Sequence, residues 1–338
     1  MNEVTTIDRI QAGDELERCP MPIPFGWFCV GLSDELKAGE IQNIRVFGKE
    51  WVLFRGEEGA VGMTDPYCPH LGAHLGHGGA VVGNNIRCPF HHWEYDTQGW
   101  CKKIPYAKVM PGITKRTPIL KALPIEERYG AIFAWYHPEG AEPSYPLMVV
   151  PEMEKAEKGE GYLAIDRKFW DIPTMIQEIG ENGVDFPHLH YLHHNPGIVP
   201  NKPWADGYKF GVDNLNGHIV SESWGPGTGT VRFTQEDITV TIYAVTTPLD
   251  AETSRMRWFF TYPVYPEGSR EQLIAERMKQ MSVGTDPYGS DEAGFESVDL
   301  VIWKNKKYRP KPLLCDGDGQ ILLWRDWFKQ FYAEPIDA

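Results

Sequence analysis

Only six cysteines occur in 338 residues: Cys19, Cys29, Cys68, Cys88, Cys101 and Cys315. They are too few and too scattered for a disulfide scaffold, and in a reduced compartment spaced cysteines more often bind metal or fill a core. No apolar run approaches the ~20 residues that a membrane-spanning helix needs. The opening residues, MNEVTTIDRIQAGDELER, lack the apolar stretch of a secretory signal. Basic residues are the minority, 33 Lys and Arg against 47 Asp and Glu, for a net charge of −14. That balance argues against nucleic acid, whose phosphates call for clustered cations. It suits a partner with a basic docking patch. Internal repeats and low-complexity tracts are missing. So is the strand-then-helix setting of a dinucleotide-binding glycine motif, since GPGTGT at 225–230 has glycines without it. The expectation is a reduced, cytoplasmic protein with no membrane span.

What is present begins with length. A chain of this size exceeds what one core usually supports, so two domains are expected. Apolar residues at 42% and charged residues at 24% are ordinary for a globular protein. From Trp27 to Trp135 short β-like runs (WFCVGL, NIRVFGKEWVLFR, GAIFAWY) are broken by glycines and turns, without helical periodicity. FRGEEGAVGMTD reads as a hairpin. A proline-rich polar stretch reads as a linker, 141–160. Beyond it, DIPTMIQEIGENGVDFPHLHYLHH has roughly helical spacing that Pro187 should interrupt. Strand-like segments and three helical ones follow, the last being ILLWRDWFKQFYAE. The fold class is therefore α+β. An extension at 1–24 precedes an all-β domain at 25–140, and after the linker comes a second domain at 161–338.

The stretch Cys68 to Trp93 concentrates two cysteines and five histidines. Two short pairs stand out, Cys68-x-His70 and Cys88-x-x-His91, separated by 17 residues. Glycines at 72, 76, 78 and 79 let such a loop close tightly round a metal. Zinc would take all four donors in a tetrahedron, but its structural sites usually pair like with like. A [2Fe–2S] centre with two thiolates on one iron and two imidazoles on the other asks for one cysteine and one histidine from each loop. His74 and His77 read as loop histidines, and Cys101 and Cys315 as buried thiols.

A second constellation lies in ENGVDFPHLHYLHH: Asp185, His188, His190, His193 and His194. A non-haem iron site needs two imidazoles and one carboxylate on one side of the metal, with the other side open. His188 pairs with His193 if the helix widens or breaks there; His188 with His194 is the other option. His190 would face away.

CPHLGAHLGHGG with CPFHHWEYDTQGWC resembles the Rieske signature C-P-H…C-P-[FY]-H-x-W, over roughly residues 25–140. It departs at His92, where family members often have glycine. The resemblance implies that Cys68, His70, Cys88 and His91 hold a Rieske [2Fe–2S] cluster. The second stretch resembles the Asn/Glu-x-x-Asp-x-x-His-x4-His motif of Rieske non-haem iron oxygenases. That implies His188 and His193 as ligands of a mononuclear Fe(II), with a third carboxylate about a hundred residues on. Asp299 in ESVDLVIW fits, and Glu296 is the alternative one turn earlier. Asp185 falls on the position implied to bridge the cluster of one subunit to the iron of its neighbour. Asn182 and Glu181 are candidate polar neighbours of the iron. CKKIPYA and the C-terminal run from Asp299 to Tyr332 are similar to ketosteroid 9α-hydroxylases and related sterol-acting members. What that implies is a helix-grip catalytic domain, a homotrimer and a monooxygenase. Electrons would come from NAD(P)H through a separate reductase, with or without a ferredoxin, and O2 would hydroxylate an apolar, steroid-like substrate. The alternatives are a ring-hydroxylating dioxygenase, desaturase or demethylase acting on an aromatic compound, and a Rieske electron carrier without catalytic iron. The aromatic-rich segment from Trp204 to Tyr265 is the expected pocket wall, most of its aromatics being sheet core.

Overall fold

The computed structural model describes residues 18–19, 21–283 and 295–334, with the side chains of 283 and 295–297 left out. Three small antiparallel sheets precede one large one. Strands 26–32, 131–136 and 125–128 form the first, and 41–46, 49–55, 61–64 and 122–123 the second. The third, 80–82, 85–87, 94–95 and 101–103, is built of strands only two or three residues long. Its register is held by the loops between strands more than by the ladder. The expected hairpin is present, with Arg55 opposite Val61.

The large sheet has seven strands and is antiparallel throughout, in the order 166–172, 254–261, 238–248, 228–235, 219–224, 209–214, 202–206. Its longest strand, ITVTIYAVTTP, is rich in the β-branched residues that suit a pleated, buried surface. Glu236 and Asp237 both have positive φ, at 52° and 66°, which gives the primed two-residue turn that matches strand twist. The edge hairpin 202–206/209–214 was not anticipated, because KPWAD has no clean alternation and is largely exposed.

Six helices are described: α1 (Pro151–Lys158), α2 (Ile176–Glu181), α3 (Phe186–Tyr191), α4 (Arg270–Val283), α5 (Phe295–Asn305) and α6 (Ile321–Phe328). The stretch expected as a linker is packed instead. Tyr145, Leu147, Met148 and Val150 are buried, and α1 starts on Pro151 at its first position and ends on left-handed Gly159. The C-terminal helix is shorter than ILLWRDWFKQFYAE suggests, tightening to a 3₁₀ turn at Lys329–Phe331. Pro187 does not break a helix. It sits in the first turn of α3, where its missing N–H costs nothing, and the break falls earlier, between α2 and Asp185.

The two halves share one core. Phe28, Trp27 and Trp135 cluster with Tyr243, Phe259, Trp324 and Phe328. Thr247 donates its hydroxyl to the Cys29 carbonyl at 2.7 Å. The GPGTGT segment lies at this seam. A Cβ on Gly227 would sit 2.1 Å from the Trp27 carbonyl, so only glycine lets the backbones meet there.

Candidate metal centres and substrate pocket

Both cysteine–histidine loops close on themselves in the same way. Cys68 N–H donates to the Ala73 carbonyl (2.9 Å) and Cys88 N–H to that of Trp93 (2.8 Å). The Cys68 carbonyl accepts from Gly72 N–H (2.9 Å) and the Cys88 carbonyl from His92 N–H (3.2 Å). Gly72 and His92 are thus equivalent positions, and both are left-handed, with φ of 76° and 58°. This is the physical reason a glycine suits position 92; His92 itself is exposed.

The two thiols are buried, each 2% exposed, and unbridged, while the two imidazoles are half-buried with ring centroids 4.8 Å apart. Trp93 stacks on His70 at 4.5 Å, and Tyr95 places its hydroxyl 3.1 Å from Cys68 Sγ. Burial pushes the Cys68 thiol up, with the Tyr95 hydrogen bond opposing. A thiol so placed ionises readily only against a cation such as a bound metal. Two shielded sulfurs behind two outward imidazoles fit a cluster of the Rieske kind. His74 packs edge-on against Tyr67, and His77 is exposed. Cys101 is buried and its thiol pushed up to about 11, but Cys315, expected to be buried, is exposed on a loop.

The second constellation is assembled by α3, the turn after it, and α5. His188 leaves α3 toward a point where donor atoms of His188, His193 and Asp299 all lie within 4.8 Å of one another. The last turn of α3 widens, with His193 N–H reaching back five residues to the His188 carbonyl (3.3 Å). That widening puts two histidines five apart on one side, their centroids 5.2 Å apart. Asp299, 2% exposed on α5, has Oδ2 3.0 Å from His193 Nε2 and accepts at Oδ1 from Asn182 Nδ2 (2.9 Å). His188 Nδ1 meets the Asp185 backbone carbonyl, leaving Nε2 for a metal. Two imidazoles and one carboxylate with an open side are what a non-haem ferrous ion takes.

His190 bonds through Nδ1 to the Asn195 carbonyl (2.7 Å), and His194 is exposed with φ 57°. Neither joins the group. The side chain of Glu296 lies outside the described residues. Asp185, at the start of α3, keeps a partly exposed carboxylate 4.0 Å from His188 Nδ1. Its partial burial raises the carboxyl, and the neighbouring His188 opposes that shift. Glu181 does not join the His188, His193 and Asp299 group. It is buried and takes two bonds from Arg325 on α6, at 2.7 and 3.0 Å.

A cavity of about 200 Å³ opens beside His188 and Asp299, between the large sheet and helices α2, α3 and α5. Ile179, Leu189, Phe233, Met256, Trp258 and Trp303 make it largely apolar. Of the aromatics between Trp204 and Tyr265 only Phe233 and Trp258 line it; Phe210, Tyr243, Phe259 and Phe260 are core. Small residues supply much of the rest, among them Gly227, Gly229 and Ala244. Composition could not single them out, because smallness signals a cavity only once the opposing wall is known.

Residues 26–119 match the Rieske [2Fe-2S] domain, and residues 134–332 match the 3-ketosteroid 9alpha-hydroxylase C-terminal domain. Cholesterol 7-desaturase of Bombyx mori is 32% identical over 97% of this chain and 74% of its own. The oxygenase component of the 3-ketosteroid-9-alpha-monooxygenase of Rhodococcus rhodochrous is 29% identical over 93% of this chain and 85% of its own. Among solved structures, dicamba monooxygenase bound to dicamba superposes with a TM-score of 0.64 at 14% identity, covering 90% of this chain and 96% of that one. That likeness concerns the fold alone. Among the described residues no helix is long and apolar enough to cross a membrane. With 74% of a curated relative's length spanned at 32% identity, and residues 134–332 matched to the catalytic-domain family, the chain belongs to the Rieske non-haem iron oxygenases with a 3-ketosteroid 9α-hydroxylase type of catalytic domain.

Proposed function

We propose that this oxygenase acts on a steroid or sterol, as a homotrimer fed by a separate reductase, with its cluster on Cys68, His70, Cys88 and His91 and its ferrous ion on His188, His193 and Asp299. The observation behind this reading is the cavity: His188 and Asp299, two members of a two-histidine, one-carboxylate group, form part of the wall of a largely apolar chamber. When bound, the cluster supplies single electrons and the ferrous ion activates dioxygen toward a C–H bond. The chain's own residues do the rest. Ile179, Phe233, Met256 and Trp258 exclude water and orient a rigid apolar skeleton. The Asp185 carbonyl holds the His188 ring by Nδ1. The relatives include both a hydroxylating and a desaturating enzyme, so product analysis decides between an added oxygen and a new double bond.

The test is substrate-dependent NADH and O2 consumption with a generic reductase, across steroids, simple aromatics and N- or O-methyl compounds. Turnover of steroids is expected. Turnover confined to the methyl compounds would overturn the substrate class.

Tyr95 is expected to tune the cluster. A hydroxyl donating to a ligand sulfur favours the reduced, more negative state. Tyr95→Phe removes one hydrogen bond, about 1 kcal/mol net, which is roughly 40 mV for a one-electron couple. The midpoint potential should fall by that order in a redox titration, with the visible spectrum retained. Asp185→Asn should keep both metals and slow electron delivery between subunits. Single-turnover rates equal to those of the unaltered protein would remove Asp185 from the relay.

A further inference from the structure

Asp299 is buried and has two oxygens, yet only Oδ2 faces His193; Oδ1 is taken by the Asn182 amide. The torsion of a carboxylate about its last bond is soft, so nothing within Asp299 itself keeps one oxygen turned away from a metal. Asn182 does so from outside. It caps the C-terminal end of α2 with helical dihedrals, φ −56° and ψ −30°.

That end of α2 is held from the far side by α6 and the segments around it. Glu181 takes its two bonds from Arg325, and the Arg325 guanidinium lies 4.6 Å from the Tyr308 ring centroid. Trp324 Nε1 donates to the Gln177 carbonyl (3.1 Å), and the Tyr332 hydroxyl to Gln177 Oε1 (2.8 Å). Trp324 fills the space over Gly180, where a Cβ would come within 2.3 Å of its ring. The amide of Asn182 is therefore presented from a clamped platform, not from a free loop.

We propose that Asn182 is a positioning residue that reserves Oδ1 of Asp299, so that Asp299 offers the iron one oxygen instead of chelating it with two. This rests on the ligand set proposed above. The consequence is one more open position on the metal than a chelating carboxylate would leave. Because Asn182 also lines the cavity beside His188 and Asp299, the same hydrogen bond couples the pocket wall to the ligand.

The experiment uses the full-length protein with its cluster. X-ray absorption at the iron edge cannot separate three irons, so the mononuclear site is loaded with Co(II) and the cobalt edge is read. Co(II) uptake is confirmed by competition with a colorimetric chelator, and the cobalt edge is read for both the unaltered protein and Asn182→Leu. Expected are a carboxylate bound through one oxygen in the unaltered protein and through both oxygens in Asn182→Leu, where nothing holds Oδ1 any longer. The Rieske absorption should be unchanged in both. A chelating carboxylate in the unaltered protein overturns the inference, and that measurement stands even if Asn182→Leu does not fold. A carboxylate that still binds through one oxygen in Asn182→Leu overturns it as well. If the unaltered protein takes up no metal beyond its cluster, the ligand set itself falls, which is a distinct result.

Discussion

Asp299→Ala is expected to leave a coloured protein that holds two irons per chain where the unaltered protein holds three, and that does not turn over. The argument is one of donor chemistry in a closed site. Asp299 is the only carboxylate grouped with His188 and His193 among the described residues, and it is almost wholly buried. Two neutral imidazoles alone bind ferrous iron weakly, and no negative charge within the group compensates the cation once the carboxylate is gone. Loss of an outer partner costs 10- to 100-fold in metal affinity, so loss of a ligand should exceed the upper end of that range. The cluster loops flank a small sheet far along the chain from α5 and, among the described residues, share no hydrogen bond with it, so the Rieske absorption should persist. Asp299→Asn separates charge from shape. It keeps the side chain's volume and loses the anion, and it should lose iron as Asp299→Ala does. Iron and sulfide analysis with an NADH-coupled assay reads the result. Three irons per chain and normal turnover in Asp299→Ala would exclude it as a ligand.

A comparable loss, in stability, is expected from Glu181→Ala. Glu181 and Arg325 are 7% and 6% exposed, joined by two bonds, and Arg325 also donates to the Arg309 carbonyl at 2.6 Å. Removing one partner strands the other charge away from water, which costs about 3–5 kcal/mol in buried pairs. Much of that penalty comes from the orphaned guanidinium, so the double variant Glu181→Gln with Arg325→Met should recover a good part of it. Urea or thermal unfolding of Glu181→Gln, Arg325→Met and the double variant closes the cycle and gives the coupling. A cost below 1 kcal/mol for Glu181→Ala, the range of an exposed pair, would mean that the clamp between α6 and α2 is loose.

The two metal groups differ in how they were readable. Cys68-x-His70 and Cys88-x-x-His91 are local. Each loop is closed by its own backbone bonds within a few residues, so spacing alone says which side chains share a direction. His188 and His193 were partly local, since the widened turn that aligns them runs over five residues. Asp299 was legible only through the resemblance, because 105 residues lie between it and His193 and include strands of the large sheet. Glu181, a candidate polar neighbour of the iron, is engaged instead by Arg325, a partner 144 residues away that no local pattern shows.

Taken alone, then, the order of residues determined the chemistry available: two sulfur–nitrogen loops, a histidine-rich turn, an apolar second half with an acid on a late helix, and no charge pattern for nucleic acid. Those are properties of composition and short spacing, which a few backbone dihedrals set. The tertiary structure alone decided which acid turns inward, that Asn182 holds one of its oxygens, that Arg325 claims Glu181, and that small residues and not the abundant aromatics open the cavity. Each of these depends on groups brought together by packing across a hundred residues or more. Burial there makes an unpaired charge or an ill-fitting side chain too costly, so which partner meets which is settled by the whole fold and not by neighbours in the chain.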